Sequence, residues 1–283
     1  MNIKKIKKRT LVYYVVLSLF LLFGMVVSFT PLLWMFLSAF KSAEEILRVP
    51  PTWIPETWSW RNFVDVLNLV PLLLYMRNSL IVTSIITVGN LILSSLAGYA
   101  LAKLNFPGRD KIFVLIVSTM MIPSFLFIIP QFITVKYFGW LNTWIGIIVP
   151  ALASPFNTFL FRQFVAGIPV ELLDAARMDG CNELHIWWRI VLPLCKPVLA
   201  TIGIITFFFG WDNFLWPFLV LQSSELYTLP IGLRLLEAAA AYPPPDYNLM
   251  MAGFVISVIP VLVVFIIAQR QIVHGITVTG MKA

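Results

Sequence analysis

Long runs without charge alternate with short polar stretches along this chain, and the runs set its architecture. Six stand out: residues 11–40, 78–102, 112–135, 141–161, 197–221 and 247–269. Each is near or above the roughly 20 residues that an α-helix needs to cross about 30 Å of hydrocarbon. Asp212 alone interrupts one of them, the fifth. The first begins like a cleaved signal peptide, but the apolar part of such a leader covers only about 7–15 residues. This run is about twice as long and is read as a span. The pattern predicts an all-α membrane protein of about six transmembrane helices, with Pro123, Pro130 and Pro150 shaping or kinking theirs.

The polar stretches are unequal. Residues 41–77 carry Pro50, Pro51, Trp53, Pro55, Trp58 and Trp60. They read either as a linker whose indoles anchor at the membrane interface or as a partner-binding surface. Asn105-Phe106-Pro107-Gly108 reads as a tight turn, and Tyr242-Pro243-Pro244-Pro245-Asp246 as a stiff connector. No internal repeat or low-complexity tract is evident. The expected organisation is an N-terminal part, 1–77, holding the tail, first span and outer segment, followed by a five-span core, 78–283.

Composition supports this class. Apolar residues make up 60% and charged residues 12%, against about 45–50% and 25% in soluble domains. The net charge of +7 does not indicate nucleic acid, because Lys4, Lys5, Lys7, Lys8 and Arg9 crowd directly before the first span, where they suit orientation and anionic headgroups. With the N-terminus inside, the inner segments hold 14 Lys and Arg and the outer segments 6. That asymmetry predicts both termini in the cytoplasm. Cys181 and Cys195 fall on the cytoplasmic side without a CxxC, and His185 and His274 stand far apart. Neither a disulfide framework nor a metal site is expected, and no cofactor.

The most informative polar stretch is 167–197, GIPVELLDAARMDGCNELHIWWRIVLPLCKP. Pro169 suits a first helical turn, Glu171 and Asp174 suit the positive end of the helix dipole, and Gly180 suits a left-handed cap. A helix of about 11 residues, roughly 16 Å, follows, too short and too polar to span. Asn182 should cap a second short helix through Trp187 and Trp188, and Pro193 should end or bend it. The slender Ala175 and Ala176, with the acceptors Asp174 and Asp179, suggest either helix-in-groove docking or an ordinary interfacial hairpin.

Asp174-Ala175-Ala176, then Asp179-Gly180, then Ile190-Val191-Leu192-Pro193 after nine residues resembles the EAA signature of ABC-importer permease subunits. Asp174 stands where Glu is usual, and Cys181 where a small residue is usual. Asn78-Ser79-Leu80, Ala97-Gly98-Tyr99-Ala100 and Phe106-Pro107-Gly108-Arg109 resemble the start of that family's permease core. Trp211-Asp212-Asn213-Phe214 with Pro217 and Thr228-Leu229-Pro230 are similar to motifs of its carbohydrate-importing branch, and the closing Gln269-Arg270 to Gly280-Met281-Lys282 resembles the shorter permease of maltose-type sugar transporters. The resemblance implies a type I importer fold in a bacterial-type inner membrane. It also implies a second permease, two cytoplasmic ATPase subunits, an extracellular solute-binding protein and a sugar substrate. Under it, Glu171, Asp174, Ala175, Ala176, Asp179 and Gly180 form the ATPase-coupling helix.

An acid inside a span should face protein or water. Trp211, Asp212 and Asn213 are therefore candidates for the translocation pathway, although Asp212 could equally pair with a partner's cation or cap a broken helix. No GxxxxGK[ST] loop occurs, so the chain is not expected to hydrolyse ATP. A self-sufficient ion-coupled transporter is the alternative. It predicts ionisable residues in several spans and often a repeated half. A membrane-embedded enzyme would need convergent catalytic groups within the bilayer, and none is found.

Overall fold

The computed structural model describes residues 8–241 and 245–280. Lys4, Lys5 and Lys7, the Tyr242-Pro243-Pro244 part of the expected connector, and Met281 and Lys282 lie outside them. Among the described residues the regular structure is helical, without strands. In chain order the helices are α1 (Lys8–Ser38), α2 (Ala43–Ile46), α3 (Arg61–Leu69), α4 (Leu72–Lys103), α5 (Arg109–Thr119), α6 (Ile128–Tyr137), α7 (Ile145–Ala151), α8 (Pro155–Ala166), α9 (Val170–Met178), α10 (Glu183–Ile186), α11 (Leu192–Leu194), α12 (Lys196–Trp211), α13 (Leu215–Val220), α14 (Leu229–Ala240) and α15 (Tyr247–Gly280).

Four stretches can cross a membrane as they stand: Val12–Ser38, Leu72–Lys103, Ile145–Ala166 and Tyr247–Ile267. Two more qualify as bent pairs, Arg109–Thr119 with Ser124–Tyr137 at 98° and Glu183–Leu194 with Lys196–Trp211 at 84°. Counting each pair once gives up to six by length and composition alone, with Glu183–Leu194 of the second pair belonging to the polar stretch 167–197.

The spans are less regular than the apolar runs suggest, and two of the breaks coincide with a proline. Pro123 disfavours helical geometry at the residue before it and stands where the third run turns sharply into the 3-10 turn Ser124–Phe127. The fourth run pauses between α7 and α8, where Ser154 accepts from the Asn157 N–H at 3.2 Å and Pro155 opens α8. The fifth run is not one helix: α12 stops at Trp211 and α13 restarts at Leu215. With 16 residues, α12 rises only about 24 Å, short of about 30 Å of hydrocarbon.

The described residues form two compact units, one within 1–70 and 235–256, the other within 71–234 and 257–283. In the first, the segment after α1 is tightly folded. Phe40 contacts the rings of Trp58, Trp60 and Phe63 at 4.8–5.1 Å. Asn62 Nδ2 donates to the Ala39 and Lys41 carbonyls, both at 2.8 Å. Lys41 is buried, with its ammonium 4.3 Å from the Trp34 ring and bonded to the Thr52 carbonyl. Trp53, Trp58 and Trp60 nevertheless stay more than half exposed.

In the second unit α4 packs chiefly on α8 and α12. Gly98 makes the close approach possible: a Cβ there would lie 2.9 Å from the Arg162 backbone nitrogen. Asn157 of α8 joins all three helices, donating to Asn90 Oδ1 of α4 at 2.7 Å and to Thr206 Oγ1 of α12 at 2.9 Å. Asn90 in turn donates to the Ala151 and Leu152 carbonyls at 3.2 and 3.1 Å. Those acceptors are freed where α7 ends, and leaving them unmet in a bilayer would cost several kcal/mol (about, per group).

Candidate functional site

The loop 167–197 folds as two short helices about a glycine joint. Pro169 occupies the N-cap position of α9, one residue before the expected first turn, and Glu171 lies in that turn. At the other end the Gly180 N–H reaches the Arg177 carbonyl and the Cys181 N–H reaches the Ala176 carbonyl, both at 3.0 Å. This pair of bonds is the Schellman closure, which requires a left-handed residue, and Gly180 supplies it at φ 82°. Asn182 then caps α10, its side chain accepting from the His185 N–H at 2.8 Å. Trp187–Val191 continues as a π turn, and α11, which contains Pro193, leads to the bend before α12.

The two faces of α9 differ sharply. Leu173 and Ala176 are buried in a cluster with Tyr99, Phe161, Val165, Ile186 and Val191. Glu171, Asp174, Ala175, Asp179 and Gly180 are exposed. Ala176 is thus small because it packs inward, and Ala175 alone of the pair leaves room for an outside surface. Exposed Val170, Leu172 and Met178 add apolar area to the same knuckle.

Three residues that the sequence did not bring together, Arg177, Glu183 and Tyr99, tie the loop to α4. Arg177 Nη1 donates to Asp174 Oδ1 at 2.6 Å, while its Nε and Nη2 donate to Glu183 Oε1 and Oε2 at 2.8 and 3.3 Å. The Tyr99 hydroxyl of α4 donates to Glu183 Oε2. The Glu183 and Asp174 carboxylates raise the Arg177 guanidinium above its ordinary range. Arg177, and then the Tyr99 hydroxyl, hold the Glu183 carboxyl below the usual carboxylate value. Asp174, one methylene shorter than the usual Glu, therefore already has a cation within its own helix.

The pathway candidates divide. Trp211 is buried and stacked on Phe207 with 5.8 Å between ring centroids, so its face is occupied. Asp212 is exposed and closes α12, its N–H donating to the Phe208 carbonyl at 3.0 Å. Asn213 lines a cavity of about 490 Å³ with Asn90, Asn157, Thr206, Ile86 and Phe209. Asn157 Oδ1 is buried there without a hydrogen-bond partner among the described residues. Asn90, Asn157 and Thr206 were missed because polar residues scattered over three apolar runs converge only in space. The arrangement offers uncharged donors and acceptors in an apolar wall, and among the described residues no Lys or Arg lines it.

Known proteins resemble this chain over most of its length. The chain is 38% identical over 255 residues to the arabinooligosaccharides transport system permease protein AraQ of Halalkalibacterium halodurans, covering 89% of this chain and 90% of that protein. It is 34% identical over 262 residues to the sn-glycerol-3-phosphate transport system permease protein UgpE of Yersinia enterocolitica, covering 90% and 93%. A crystal structure of a bacterial ABC transporter involved in import of the acidic polysaccharide alginate contains a similar chain. It superposes with a TM-score of 0.84 at 25% identity, over 95% of this chain and 99% of that one. Residues 90–278 match the model of the binding-protein-dependent transport system inner membrane component. The chain belongs to that family of non-catalytic, multi-pass inner-membrane permease subunits of ABC importers.

Proposed function

We propose that this permease carries an uncharged sugar and that α9 is the contact through which partner ATPase subunits drive it. The observation that carries the reading is the two-faced α9. One side is fixed in the core by Leu173 and Ala176, and the other presents Ala175, Asp179, Gly180 and the apolar Met178 to the outside. A bare apolar and acidic knuckle fits a groove in a protein better than water. ATP hydrolysis falls to the partners, because this chain has no phosphate-cradling loop. Closure of two ATPase subunits would draw this knuckle and its counterpart on a second permease together and rock the spans. An extracellular binding protein would release sugar into the path between the permeases.

The sugar assignment draws on relatives named for arabinooligosaccharides, sn-glycerol-3-phosphate and sulfoquinovosyl glycerol. All are rich in hydroxyls. The lining by Asn90, Asn157, Asn213 and Thr206, without a cation, favours the uncharged member of that group. The test is a panel of sugars and sugar phosphates offered to the reconstituted complex with its binding protein. Uptake of a neutral oligosaccharide, with a half-saturating concentration raised about three- to tenfold by Asn213→Ala, is expected. Preference for a phosphorylated substrate, or an Asn213→Ala variant with unchanged saturation, contradicts it.

A further inference from the structure

Gly180 sits at a positive φ with nothing within 4 Å of where a Cβ would be. No side-chain bulk at this joint resists bending between α9 and α10, and a push on α9 could be absorbed there. Glu183 closes that route. It lies just past the joint and accepts two bonds from Arg177 of α9 and one from the Tyr99 hydroxyl of α4. A two-pronged Arg–carboxylate contact fixes orientation as well as distance. One turn beyond Tyr99, Lys103 Nζ donates to the Ile168 and Ala166 carbonyls at 2.5 and 3.3 Å, so the same end of α4 also grips the start of the loop. From there α4 contacts α8 and α12 along its length. The apolar face of α9 alone would allow sliding, because burial is non-directional. The polar clamp is directional.

We propose that Glu183, held between Arg177 and Tyr99, is a positioning residue that makes α9, α10 and the inner end of α4 move as one body, so that displacement of α9 reaches the spans. This rests on reading α9 as the ATPase contact. The test uses the complete complex in proteoliposomes, with ATP hydrolysis and sugar uptake measured together for the wild type, Glu183→Ala, Tyr99→Phe and the double variant. Assembly and ATP hydrolysis persist, while sugar taken up per ATP falls about tenfold, within the usual range of coupling between sites. The double variant falls no further than Glu183→Ala, because both changes break one contact. Tyr99→Phe removes a single oxygen and keeps the ring packed, so it decides the matter if Glu183→Ala fails to assemble. Uptake per ATP within about twofold of wild type, well below that coupling range, overturns the proposal. So does a proportional loss of hydrolysis and uptake, which marks a purely structural brace. A wild-type complex with no ATP-dependent uptake would instead defeat the reading of α9.

Discussion

At the residue scale, two glycines constrain the molecule on different grounds. Gly180 has open space around it but a backbone conformation that costs an L-residue roughly 1–2 kcal/mol. Asn tolerates that conformation better than a β-branched residue does. Gly180→Asn should therefore keep the loop folded while adding bulk to the docking face, and Gly180→Val should disturb both. If α9 docks, Gly180→Asn loses uptake at unchanged membrane level and thermal stability; retained uptake argues against docking. Gly98 has an ordinary φ but no room, since a Cβ would press on the Arg162 backbone and the Phe161 ring. Gly98→Val should destabilise the purified protein by about 1–3 kcal/mol, seen as a lower thermal midpoint in detergent. Glu183 adds a pH dependence. Its folded-state value is below the ordinary 4.5, so its contribution is complete above about 4.5 and disappears as pH falls through the folded value. The stability difference between wild type and Glu183→Gln should therefore be present at neutral pH and vanish in acid.

At the level of elements, asparagines do what an unbroken helix would do for itself. Asn90 takes the carbonyls at the end of α7, and Asn78 Nδ2 takes the Glu225 and Tyr227 carbonyls at 2.7 and 3.0 Å. Ser79 Oγ accepts from the Leu229 N–H at 2.7 Å, at the start of α14. Asn157→Ala should lower stability by about 0.6–2 kcal/mol, the range for hydrogen bonds between membrane helices; an unchanged midpoint would show that the three helices hold without it. These breaks were only partly legible in the sequence. Pro123 flagged one and Asp212 another, whereas Pro150 lies inside α7 and the break after it falls at Ser154 and Pro155. The partners that make a break tolerable sit far along the chain, as Asn90 does from Leu152, and nothing local announces them. The short helix α9 was legible because its start, its acids and its closing glycine all lie within 12 residues of sequence (about three turns). The pairing of Tyr99 with Glu183, 84 residues apart, was not.

For the whole molecule, the bilayer made the architecture readable. A hydrocarbon of fixed thickness demands long apolar runs, and orientation follows from where Lys and Arg fall. What the sequence left open on residues 41–77 is now narrower. Buried Lys41 and the Phe40 aromatic cluster explain part of their composition by internal packing, and exposed Trp53, Trp58 and Trp60 leave room for an interface. On the function proposed above, this permease works only as part of an ATP-driven assembly. The most direct test is sugar uptake into proteoliposomes containing either this chain alone or the chain with its second permease and ATPase subunits. ATP inside, binding protein outside, and an imposed proton or sodium gradient are each supplied or withheld. Uptake is expected only in the full assembly, dependent on both ATP and binding protein and indifferent to the gradient. Uptake by the chain alone, driven by an ion gradient without ATP, would contradict it.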